Sequence, residues 1–138
     1  MAGPLSPSAR AKSLANDFGP TRGPNAPDGF YIILLDDHPE FDGVELDTGT
    51  CPGYARKAVD NDDFEVVSGV GMKIVATLAT PTGAWTKIAR YAALLNAADT
   101  SEMWDYTAIN PIRVREAGPF ESPLSFTVYY SDDATEPA

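Results

Sequence analysis

At 138 residues the chain has the length of one ordinary domain, and its 43% hydrophobic and 10% aromatic content is that of a folding sequence, not a disordered one. Its formal charge of −10 disfavours nucleic acid and anionic membranes as partners. Cys51 is the only cysteine, which excludes an internal disulfide and a thiolate metal cluster.

Residues 1–29 read as an arm. Pro4, Pro7, Pro20, Pro24 and Pro27 lack the N–H that a sheet requires, and Gly3, Gly19, Gly23 and Gly29 resist ordering. One short helix is predicted within the arm, over residues 7–18. Ser6 caps it, Pro7 suits its first position and Gly19 closes it, while Ala11, Leu14, Ala15 and Phe18 share one face. The arm also has its own charge. Residues 1–24 carry Arg10, Lys12 and Arg22 against Asp17, a net of +2, whereas residues 25–138 carry seven basic and nineteen acidic side chains, a net of −12. Such an arm is drawn to acidic protein surfaces, a second copy of the body included.

Residues 30–130 read as the body. Residues 30–35 (FYIILL) form a short apolar run with the length of a buried strand. Residues 36–53 follow as a polar loop broken by Pro39, Gly43, Gly49 and Pro52. Strands are expected over residues 54–59 and 64–68, around the acidic turn Asp60-Asn61-Asp62-Asp63. Residues 71–79 alternate, with Met72, Ile74, Ala76 and Leu78 on one face. Residues 85–98 are ambiguous, because Trp85, Ile88, Ala92 and Leu95 fall at helical spacing in an alanine-rich run that locally favours helix. Further strands are expected over residues 112–116, with Arg113 and Arg115 outward, and over residues 124–130. The polar tail 131–138 is expected to fray. Short strands separated by turns predict an all-β fold, a β-sandwich or jelly roll, with an extended N-terminal arm containing one short helix.

The sequence offers little for catalysis. His38, the only histidine, sits in a loop, where solvation is the expected fate; transition-metal sites ask for more ligands of its kind. The acidic runs beginning at Asp60 and Asp36 have Glu65 and Phe41 where a calcium loop requires glycine. Gly-x-Ser-x-Gly and the phosphate-cradling glycine motif are both absent from the sequence. The expectation is a non-enzyme without cofactor or metal. Trp85, Trp104 and Tyr106 offer stacking faces for a carbohydrate, with core packing the favoured use of such rings. No segment has the length and apolarity of a membrane helix, and the N-terminus lacks the pattern of a secretory signal, so a protein of intracellular origin, made and kept soluble, is expected.

A set of short motifs resembles a family of small tailed-phage virion proteins, tail-fibre-like or capsid-decorating. They are Phe18-Gly19, Tyr31-Ile32-Ile33-Leu34-Leu35, Gly43-Val44-Glu45, Gly53-Tyr54-Ala55-Arg56 and Trp85-Thr86-Lys87-Ile88-Ala89, spread over residues 10–98. The resemblance implies a β-sandwich that assembles with copies of itself or with other virion proteins. It also implies a strand over residues 86–95, which is the reading adopted for that segment. On this basis the expected function is a capsid cement or decoration protein on the outer head surface. It would be a homotrimer bound to the major capsid protein, with a tail-fibre or baseplate component as the alternative. The expected partner-binding residues are Arg10, Lys12, Leu14, Phe18 and Arg22 of the arm. Tyr54, Arg56 and Trp85 are expected to be structural: an aromatic anchor at a sandwich edge, an arginine that clamps a nearby carboxylate, and a strand-opening tryptophan.

Overall fold

The computed structural model describes residues 27–68, 70–120 and 122–129. The helix predicted over residues 7–18, the five arm residues and the tail 131–138 lie outside the described residues. Within these the chain is all-β. Its strands are β1 (Phe30–Leu35), β2 (Lys57–Val59), β3 (Glu65–Val67), β4 (Gly71–Ala76), β5 (Ala89–Asn96), β6 (Asp99–Ile112) and β7 (Leu124–Tyr129). One sheet has the order β2-β1-β5-β6 and the other β3-β4-β7. Every pairing is antiparallel.

The core lies where the two sheets meet. The first sheet contributes Phe30, Ile32, Leu34, Ala92 and Leu94, and the second Met72, Ile74, Ala76, Phe126 and Val128. The alternation of β4 puts Met72, Ile74 and Ala76 inward and leaves Val75 exposed, as a half-buried strand requires. Each large side chain sealed in this core contributes roughly 1.5–3 kcal/mol relative to exposure. Tyr31, Ile33 and Leu35 on β1, with Tyr91, Ala93 and Leu95 on β5, point to the opposite side of the first sheet. There they form a second, smaller apolar cluster. The two central strands are thus apolar on both faces.

Residues 85–98 do not form the helix that their alanine content favours. Ala89–Asn96 is a strand, paired from Leu35↔Tyr91 to Phe30↔Asn96 with β1 and along its other side with β6. Its alternate residues Ala92 and Leu94, and Ala93 and Leu95, serve the two apolar clusters, so tertiary pairing overrides local propensity.

The strand expected over residues 112–116 is displaced. Residues 113–115 keep an alternating exposure but lie outside any strand, and the strand runs before them as the 14-residue β6. β6 is longer than its eight-residue partner β5, and irregular steps beside Ala89, Leu94 and Leu95 absorb part of the mismatch. Pro111 lies in β6, which among the described residues pairs with β5 on one side. The strand expected over residues 54–59 is shortened to Lys57–Val59, since Tyr54 is committed to a loop contact described below.

A buried asparagine fixes the start of β1. The Gly29 N–H donates to Asn61 Oδ1 at 2.8 Å, and the Ala97 N–H donates to the Gly29 carbonyl at 3.2 Å. Residue 29 is therefore held between the 3-10 turn Asn61–Asp63 and the β5–β6 hairpin.

A candidate interaction surface on a braced scaffold

Two loops interlock at the end of the molecule where β1 finishes. The Leu46 N–H donates to the Leu34 carbonyl at 3.0 Å, and Leu35 bridges Glu45. This lays residues 44–46 beside the end of β1 and delivers the Glu45 carboxylate next to Tyr54. The Tyr54 hydroxyl donates to Glu45 Oε2 at 2.7 Å and accepts from the Leu34 N–H at 3.1 Å. Arg56 closes on the same carboxylate, with Nη2 2.8 Å from Oε1 and Nε 3.0 Å from Oε2. Gly43-Val44-Glu45 and Gly53-Tyr54-Ala55-Arg56 thus meet as a fork-shaped ion pair backed by a phenol. The pair is partly open to solvent, so its attraction alone is worth at most about 1 kcal/mol. Its weight lies in orienting Tyr54, which is 8% exposed.

Trp85 extends the brace. Its Nε1 donates to the Pro52 carbonyl at 2.9 Å, and its ring meets Tyr54 and Phe120 edge to face, with centroids 6.3 and 5.8 Å away. Backbone bonds join the same two segments, from the Thr82 N–H to the Pro52 carbonyl and from the Thr86 N–H to the Thr50 carbonyl. Cys51 sits between them, fully buried and without disulfide.

Burial, and next the hydrogen bond to Glu45, push the Tyr54 hydroxyl far above the ordinary tyrosine value of 10.0. The folded state holds this proton more tightly than the unfolded chain does. The resulting stability is complete below about pH 10 and declines as pH rises beyond it. Tyr54→Phe should cost about 1–2 kcal/mol at neutral pH, from the lost hydroxyl bonds. The gap between the two proteins should then narrow in urea melts as alkalinity increases. A gap that stays constant with pH would remove the linkage.

His38 departs from the expectation of a solvated histidine. Its ring lies 4.9 Å from Phe41, 5.2 Å from Tyr91 and 5.0 Å from Tyr106, a half-buried position over the outer side of the first sheet. Its Nδ1 accepts from the Glu40 N–H at 3.0 Å. The acidic loop side chains serve the backbone: Asp36 Oδ1 accepts from the Val44 N–H, and Asp47 Oδ1 accepts from the Thr50 N–H and hydroxyl. Asp36 also meets Lys87 at 3.4 Å. Among the described residues no three His, Cys, Asp or Glu side chains converge to hold a metal. No helix among them is long and apolar enough to cross a membrane.

An open surface borders the brace, which it meets at Phe120 and Val114. Both sheets end there, the first at β6 and the second at β7. An open groove of about 1030 Å³ separates them, with Leu78, Ile109, Ile112, Val114, Phe120 and Leu124 among its lining. These are the side chains that only partly complete the main core. Beside the groove runs β6, which among the described residues is the last strand of the first sheet. The rings considered for carbohydrate stacking have other duties. Trp85 is buried in the brace, Trp104 meets Phe30 edge to face at 6.3 Å, and Tyr106 belongs to the outer cluster.

Tyr54, Arg56 and Trp85 are brought together by this arrangement. Sequence reasoning missed Glu45 as the group that joins them, although Glu45 stood in one of the quoted motifs. It also missed β6, whose stretch Trp104-Asp105-Tyr106-Thr107-Ala108 alternates but was not read as a strand. No known family, curated protein or solved structure matches the chain.

Proposed function

We propose that this chain is a non-enzymatic structural protein of a tailed-phage virion, a capsid cement protein on the outer head surface. Its two sheets form a β-sandwich body, and it binds the major capsid protein as a homotrimer, with Arg10, Lys12 and Arg22 of the arm adding contacts. The observation that carries the reading is the open flank between β6 and β7. A groove that sets apolar side chains such as Ile109, Phe120 and Leu124 beside Arg113 and Arg115, next to the strand that ends the first sheet among the described residues, is a surface suited to another polypeptide, whose side chains can fill it. The interlocked loops at Tyr54, Glu45 and Trp85 support the same reading, because they spend polar and aromatic groups on rigidity. A rigid body suits a cement protein, which has to hold a fixed geometry between shell subunits.

The test is cosedimentation of the purified chain with phage heads that lack it, followed by counting of copies per particle. Saturable binding at hundreds of copies per head is expected. A few copies located at the tail would instead make it a fibre or baseplate component. Absence from purified virions would end the virion reading altogether.

A further inference from the structure

The outer face of the first sheet is apolar, and its central residues are shielded. Ile33, Leu35, Ala93 and Leu95 are between 0% and 5% exposed. The side chains packed with them are Tyr31, Tyr91 and Tyr106, which stand on the same sheet face. In-plane neighbours do not seal a sheet face; a strand apolar on both sides belongs to a sheet covered on both sides. The second sheet covers the inner face. On the outer face His38 and its loop reach Tyr91 and Tyr106, the end near Leu35. The end bearing Tyr31 and Leu95 lies where the chain enters β1.

The geometry points to residues 7–18 of the same chain as the layer over this outer face. Three features of the sequence fit that assignment. First, Ala11, Leu14, Ala15 and Phe18 form one apolar stripe at helical spacing, with Arg10 and Lys12 on its two margins. A stripe of small side chains between one Leu and one Phe suits a flat face centred on Ala93. Second, the reach is right. Eight residues, 19–26, separate the segment from the described chain and extend to at most about 29 Å. A 12-residue helix is about 18 Å long, and the eight residues of β5 span about 27 Å. Third, the charges are opposite, +2 for residues 1–24 against −12 for the remainder. The apolar stripe then serves the body, and the basic margins stay available to neighbours. This inference does not rest on the virion reading.

The test joins residue 14 to the sheet in the full-length protein. Leu14→Cys is combined with Tyr106→Cys on the outer face, or with Val75→Cys, which is exposed on the second sheet. Both pairs are treated with a short bifunctional thiol reagent; Cys51 is buried and does not compete. An intrachain link is expected with Tyr106→Cys and not with Val75→Cys. Equal linking of both pairs, or no linking of either, would overturn the proposal. Links between chains alone would assign the face to a second copy and overturn it too. As a second readout, Leu14→Asp with Phe18→Asp should raise binding of an apolar-surface dye several-fold in a protein that keeps its strand circular dichroism. Unchanged dye binding would contradict the assignment. Shell binding is not read in either assay, so failure here is separable from failure of the cement function.

Discussion

Replacing Phe126 by alanine is expected to remove about 3–5 kcal/mol of stability. Phe126 is 0% exposed and sits on β7, paired with Ile74 of β4 and facing the first sheet. The loss has two parts. The ring's transfer from water is forfeited, and the space it leaves lies between two sheets that are each held by their own hydrogen-bond ladders. Neither sheet can collapse into the gap without breaking its pairing, so the cavity persists and adds to the cost. Against a typical total of about 5–15 kcal/mol this is a large fraction. Urea denaturation followed by circular dichroism should show a lower midpoint with an unchanged slope. A loss below about 1 kcal/mol would mean that the two sheets do not share this core.

Gly53→Ala is expected to be nearly as severe, for a backbone reason. Gly53 has φ +83°, in the left-handed region that side-chain-bearing residues adopt at a cost of roughly 1–2 kcal/mol. A Cβ at this position would also stand 2.6 Å from the Thr82 nitrogen and 2.7 Å from the Thr80 carbonyl oxygen. Both are backbone atoms, so relief requires the two loops to separate. Separation breaks the Thr82–Pro52 bond and the Trp85–Pro52 bond together. A combined cost of about 2–4 kcal/mol follows. Tryptophan fluorescence reads the damage directly, since Trp85 should become wetter while far-ultraviolet circular dichroism stays near that of the parent. Parent-like stability and fluorescence would show that the loops are not locked through residue 53.

The sequence made the central strands legible because they are short, apolar and flanked by turn residues. The run FYIILL, the alternation from Met72 to Ala76 and the residues around Phe126 all signal burial without outside help. Residues 89–96 were not legible in the same way. A strand buried on both faces loses its two-residue alternation, and two alanines at its centre mimic helix composition. β6 was hidden for a different reason. It carries Asp99, Glu102 and Asp105, and Trp104 and Tyr106, two residues apart, pack in different clusters across an irregular register, so its period is broken and its place is set by pairing with β5. Within the brace, the residue types at positions 54, 56 and 85 were informative alone. Their common partner was not, because nothing in the spacing of Glu45 says that the loop after β1 doubles back beside it. The histidine contacts were hidden likewise, since they depend on where one loop folds over a sheet.

The two flanks of the molecule are unequal. On one, the sheets finish in three-residue strands, Lys57–Val59 and Glu65–Val67; on the other they finish in Asp99–Ile112 and Leu124–Tyr129. A copy that docked its long flank on the short flank of the next would find only three residues to zip against. Among the described residues, end-to-end chaining through sheet edges therefore has only short strands to build on. Such one-sidedness works against a crowd of copies becoming a polymer.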